Sequence, residues 1–211
     1  MKRPLLLPKF YPILDTGVAL ARGLEPVRVA QDILDSGARI LQFRHKTFLS
    51  REALGWLEAI AGLTRQAGAT LVVNDRADLA RLFGAALHLG QDDLPPSAAR
   101  TILGAEALLG FSTHNETQLR AAAGEAVDYV AVGPIFGTAT KENPDSTVGL
   151  AELRRLRPFT DRPLCAIGGI TRATALDVIN AGADSVAIVA DLFPDGGDVR
   201  ERAEEWIRLL A

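Results

Sequence analysis

The sequence is short of the residues that mark several common protein classes. Its 211 residues include one cysteine, Cys165, so no internal disulfide framework can form, and a lone thiol fits a reducing compartment. Its three histidines, His45, His88 and His114, have no spacing that reads as a metal site. The formal net charge is only -3, which excludes the global basic field of a nucleic-acid binder. No apolar run approaches the length that spans a bilayer. The opening MKRPLLLP has two basic residues and three leucines, but prolines interrupt it before a secretory apolar core could form. These absences predict a cytoplasmic protein with neither nucleic acid nor membrane as partner.

What the chain does have is a repeat. A helix-like segment ends in Gly-Ala and a short apolar run follows, as at Gly37-Ala38 before RILQFR, Gly68-Ala69 before TLVVND, Gly84-Ala85 before ALHLG and Gly182-Ala183 before SVAIVA. Glycine just past a helix end adopts the left-handed conformation that stops the helix cheaply. The apolar, β-branched runs read as strands covered on both faces, as in a parallel sheet. Strands are expected at Tyr11–Leu14, Arg39–Arg44, Thr70–Asn74, Ala86–Leu89, Leu108–Ser112, Tyr129–Gly133, Leu164–Ile167 and Ser185–Val189. Between them lie helical stripes such as Ala30, Ile33, Leu34, Gly37, and Val199, Ala203, Trp206, Ile207, Leu210. The even alternation favours a single (β/α)8 TIM barrel over residues 1–211, with an open doubly wound sheet as the competing layout.

In such a barrel the active site lies at the C-terminal strand ends, so polar residues should gather there and nowhere else in the strands. Strand two ends in Gln42, Arg44 and Lys46, strand three in Asn74-Asp75, and Gln91-Asp92-Asp93 follows strand four. Strand five ends in Ser112-Thr113-His114, strand six runs into GPIFGTATK, strand seven ends in Gly168-Gly169 and strand eight in Val189-Ala190. His45 alternates with Arg44 and Lys46 and should point away from the mouth. Acids and cations converging at one mouth suit a metal-bound phosphorylated substrate. The Gly169 turn and Val189-Ala190 predict one phosphate subsite, and Arg44, Lys46 and Lys141 a second, more highly charged one. Taken singly, each feature has a plainer reading. Asp75 and Asp93 could be helix N-caps, Lys141 a solvated loop residue, and His88 a satisfied interior histidine.

Taken together, QFRHK, NDRADLA, HLGQDD, FSTH, GPIFGTATK and AIGGI occur in the order and at about the spacing of the bacterial thiamine-phosphate synthases, which the chain resembles along essentially its whole length. The resemblance implies a (β/α)8 barrel that joins hydroxymethylpyrimidine diphosphate to hydroxyethylthiazole phosphate, releasing diphosphate with Mg2+ as the required ion. It assigns Gln42, Arg44, Lys46, Asn74 and Lys141 to the diphosphate, Asp75 and Asp93 to Mg2+, and Ser112 to the pyrimidine. Thr138, Thr140, Gly169, Val189 and Ala190 are assigned to the thiazole phosphate. By the same resemblance Arg44, Lys46, Lys141 and Ser112 are the catalytic groups, acting through a pyrimidine-methyl cation that needs no strong general base. Strand one, YPILDTG, departs from the usual run of that family, and Ala190 stands where a serine is common. Two other classes remain: a thiazole tautomerase-like relative, which tends to lose the metal carboxylates and the Gln/Arg/Lys cluster, and a non-catalytic phosphate-binding homologue.

Overall fold

The computed structural model describes residues 7–138, 146–193 and 197–211. Eight parallel strands close into a barrel in chain order. Strand β1 (Phe10–Asp15) leads into a short helix α1 (Thr16–Ala21) and then α2 (Pro26–Asp35). Next come β2 (Ile40–Arg44) with α3 (Arg51–Gln66), β3 (Thr70–Asn74) with α4 (Ala77–Phe83), and β4 (Ala86–Leu89) with α5 (Pro96–Leu103). The second half runs β5 (Leu109–Thr113), α6 (Glu116–Ala122), β6 (Tyr129–Val132), α7 (Gly149–Leu156), β7 (Leu164–Ile167) and α8 (Ala175–Asn180). It closes with β8 (Ser185–Ile188), a 3-10 turn over Ala190–Leu192 and α9 (Val199–Leu210). Every strand falls within one residue of where the sequence places it, and the glycines of the four Gly-Ala stops all have positive φ. Helix α1 is an addition that the sequence pattern did not predict.

The strands are buried on both faces, which is why they read as near-continuous apolar runs. Leu41, Phe43, Val73, Leu87, Val130 and Val132 face outward and pack under the helices. Ile13, Ile40, Val72, Ala86, Ala131, Cys165 and Ala187 fill the inside together with Tyr11 and Tyr129. Gly110 sits opposite Tyr129 in the β5–β6 register. A Cβ on Gly110 would lie 2.0 Å from Tyr129 Cζ, so only the glycine lets that ring cross the barrel.

The barrel closes at a seam between the first and last strands. Tyr11 pairs with Ala187, Val186 N–H donates to the Lys9 carbonyl at 2.8 Å, and Ser185 Oγ donates to the Pro8 carbonyl at 2.7 Å. Helix α9 covers the seam. Its Trp206 ring stacks on Phe10 with centroids 6.0 Å apart, and Trp206 Nε1 donates to Asp191 Oδ2 at 2.9 Å. No helix among the described residues is long and apolar enough to cross a membrane.

Candidate active site

Parallel strands aim all eight C-terminal ends at one rim, and a cavity of about 730 Å³ opens there. Gln42, Arg44 and Lys46 line it from strand two, Asn74 and Asp75 from strand three, and Asp93 and Ser112 from the loops and ends of strands four and five. Thr138, Gly169, Val189 and Ala190 line the opposite side. Thr140 and Lys141 lie outside the described residues. His45 is turned away, as its alternation requires. It hydrogen-bonds Thr16 Oγ1 through Nδ1 at 2.7 Å and packs between Phe43 and Trp56.

The cations are held in place by acids. Arg44 forms an ion pair with Asp15, whose other oxygen accepts from Val18 N–H at 3.0 Å and so caps α1. Lys46 forms an ion pair with Asp75. Asp15 is a site residue that the sequence reading missed. Its only signal was that YPILDTG departs from the pattern of the resembling family. Gln42 is 3% exposed, and its Nε2 donates to the Tyr11 hydroxyl at 3.0 Å.

Neither Asp75 nor Asp93 is a helix cap. Helix α4 starts from Arg76 and α5 from Pro95, and neither start has a side-chain cap. Instead Asp75 pairs with Lys46 and lies close to Asp93, whose Oδ2 accepts from Gly90 N–H at 2.7 Å. Burial, followed by that contact with Asp93, pushes Asp75 up to about 6 despite the opposing pull of Lys46. Asp75 also has φ of 63°, a left-handed conformation uncommon outside glycine, with its N–H held by the His88 carbonyl at 2.8 Å. Among the described residues no group of three or more His, Cys, Asp or Glu converges as a ligand set. The pair alone, two carboxylates side by side, suits a hard divalent ion that takes its other ligands from phosphate and water. Beside it the Asn74 Nδ2 group is buried without a hydrogen-bond partner, a donor in want of an acceptor.

Across the cavity the loop after β6 lies on the turn after β7. Ile135 N–H donates to the Ile167 carbonyl at 2.8 Å and Phe136 N–H to the Gly168 carbonyl at 3.0 Å. Gly169, at φ of 64°, approaches this loop so closely that a Cβ would lie 2.5 Å from the Gly137 carbonyl oxygen. The Ala190–Leu192 turn is tied down through Asp191, which meets Trp206 Nε1 and, at 3.3 Å, Arg172 Nε.

One expectation is corrected. Polar side chains are not confined to the rim: a hydrogen-bonded row crosses the barrel below it. Tyr11 and Tyr129 hydroxyls meet at 2.8 Å, Tyr129 meets His88 Nδ1 at 3.0 Å, and His88 Nε2 meets Ser112 Oγ at 2.9 Å. Each member has a partner, which offsets the cost of burying it. Burial is the main cause of every shift here. It pulls His88 down to about 4, lifts both tyrosines far above their ordinary range, and pushes the neighbouring Cys165 thiol up to about 12.

A sequence profile described as thiamine monophosphate synthase matches residues 10–192. The chain belongs to the thiamine monophosphate synthase family. The thiamine-phosphate synthase of Koribacter versatilis is 44% identical, covering 100% of this chain and 99% of that protein. That of Chloroflexus aurantiacus is 40% identical over 86% of this chain and 83% of its own length. A solved thiamine phosphate pyrophosphorylase from Pyrococcus furiosus superposes with a TM-score of 0.84 at 28% identity, covering 96% of this chain and 95% of that one. Within this family of transferases, the rim described above is the candidate active site.

Proposed function

We propose that this enzyme makes thiamine phosphate by joining hydroxymethylpyrimidine diphosphate to hydroxyethylthiazole phosphate, with diphosphate as the leaving group. The observation that carries the reading is the facing of two unlike anion sites across one cavity. One is the Arg44–Lys46–Asn74 group beside the Asp75–Asp93 pair, and the other is the Gly168-Gly169 turn with Val189-Ala190.

The step breaks the bond between the pyrimidine methylene carbon and the diphosphate oxygen largely before the thiazole nitrogen attacks. Arg44 and Lys46, fixed by Asp15 and Asp75, neutralise charge on the departing oxygens without having to reorganise. Asn74 Nδ2 gives its unused donor to the same group, and the family resemblance adds Lys141 to it. Gln42, with one amide hydrogen committed to Tyr11, supports this side from beneath. Asp75 and Asp93 would hold Mg2+, which would supply further charge neutralisation to the leaving diphosphate. Ser112 hydrogen-bonds the pyrimidine, while Gly169, Thr138, Thr140 and the Val189-Ala190 backbone hold the thiazole phosphate. Ile13, Ala131, Ile167 and Ile170 give the cavity apolar walls that keep water from the carbon cation.

Both substrates mixed with the protein, with and without Mg2+, should yield thiamine phosphate and diphosphate only when the ion is present. Conversion of the thiazole alone would assign a tautomerase instead. Binding of both phosphates with no product under either condition would assign a non-catalytic homologue.

A further inference from the structure

The buried row beneath the cavity has a direction. Gln42 Nε2 donates to the Tyr11 oxygen at 3.0 Å, which leaves the Tyr11 hydrogen for Tyr129, 2.8 Å away. With its oxygen taken, Tyr129 passes its own hydrogen to His88 Nδ1 at 3.0 Å. His88 must then carry its proton on Nε2, which faces Ser112 Oγ at 2.9 Å. Ser112 Oγ then accepts from His88, which frees its hydrogen for the cavity that Ser112 lines. A hydroxyl gives one hydrogen but can accept twice; run the other way, the row would leave the hydrogen of Tyr11, a fully buried residue, without an acceptor, and this order alone pairs every buried hydrogen in it.

We propose that His88, Tyr129 and Tyr11 are positioning residues that hold Ser112 as a hydrogen-bond donor, so that this point of the cavity takes a ligand atom with a lone pair and no hydrogen, such as a heterocyclic ring nitrogen. The ring stack of His88 on Tyr129, with centroids 5.5 Å apart, keeps the imidazole from turning over. The room that Gly110 leaves for Tyr129 fixes the phenol at the centre of the barrel. The identity of the ligand as the pyrimidine rests on the function proposed above; the direction of the row does not.

Nitrogen-15 NMR of histidine-labelled full-length protein, with His88→Gln to assign the signal among three histidines, reads which ring nitrogen carries the proton. Protonation on Nε2 with Nδ1 as acceptor at pH 7.5 is the expected result. A ring protonated on Nδ1, or on both nitrogens, overturns the proposal. A double-mutant cycle adds a functional readout. Tyr129→Phe should lower kcat/KM for the pyrimidine diphosphate about five- to tenfold, the size of one misdirected hydrogen bond, with KM for the thiazole phosphate unchanged. In the Ser112→Ala background the same change should have no further effect. Equal losses in both backgrounds would make Tyr129 a packing residue and sink the idea. Wild-type protein that released no diphosphate would refute the proposed reaction, yet the ring-nitrogen signal would still decide the direction of the row.

Discussion

Asp15 does two jobs with two oxygens: Oδ1 caps α1 through the Val18 amide, and Oδ2 pairs with Arg44. Asn caps helices as well as Asp does but carries no charge, so Asp15→Asn separates the two roles. Thermal stability should stay within about 0.5 kcal/mol of wild type, while kcat/KM for the diphosphate substrate falls about tenfold as Arg44 loses its anchor. A melting curve beside steady-state kinetics checks this, and unchanged kinetics would show that Arg44 needs no orienting partner.

Burial, and after it the nearness of Asp93, disfavours the ionised form of Asp75. Asparagine tolerates the left-handed backbone there, so Asp75→Asn should leave the ion-free protein at least as stable as wild type. The half-saturating Mg2+ concentration for diphosphate release should rise about tenfold or more, with a lower maximal rate, because one of two ion-holding oxygens is lost. Wild-type activity at low Mg2+ would remove Asp75 from the metal site.

Gly169→Ala places a Cβ against the Gly137 carbonyl and demands a left-handed alanine. The turn must shift, at a cost of about 1–2 kcal/mol. KM for the thiazole phosphate should rise several-fold while KM for the pyrimidine diphosphate stays put. Equal rises in both would mean that the whole rim had moved.

His88 is depressed by burial from 6.5 to about 4. The unfolded chain therefore binds more protons than the folded one between those values. The stabilisation is complete above about 6.5 and is lost as pH falls toward about 4, at most roughly 3 kcal/mol in all. Urea titrations at pH 7 and pH 4.5 should show a smaller acid loss in His88→Gln than in wild type. Parallel losses in the two proteins would place the acid sensitivity on the carboxylates instead.

The barrel was legible because its signals are local. Gly37-Ala38 and Gly182-Ala183 stop helices on the spot, and each apolar run that follows is long enough for one strand. The rim was legible because strand ends carry Gln42-x-Arg44-x-Lys46 and Asn74-Asp75 in plain alternation. The buried row was not, because Tyr11 and Tyr129 lie 118 positions apart and meet only through barrel closure. Each looks like an ordinary aromatic strand residue in its own segment. Asp15 was hidden for a similar reason: its tie to Arg44 follows from the β1–β2 register, in which the two stand side by side. The capping reading of Asp75 and Asp93 failed because Asp75 pairs with Lys46 across the rim and Asp93 turns back to Gly90 in its own loop, rather than either meeting the helix that follows it.

The seam between β1 and β8 has a consequence for synthesis. The strand that begins the sheet waits for the one that ends it, so a nascent chain can hold the Arg44 side of the rim while lacking its Val189 counterpart. Such an intermediate exposes two open sheet edges until the final strand emerges, and that interval, more than any step afterward, is when the protein depends on being shielded from its neighbours.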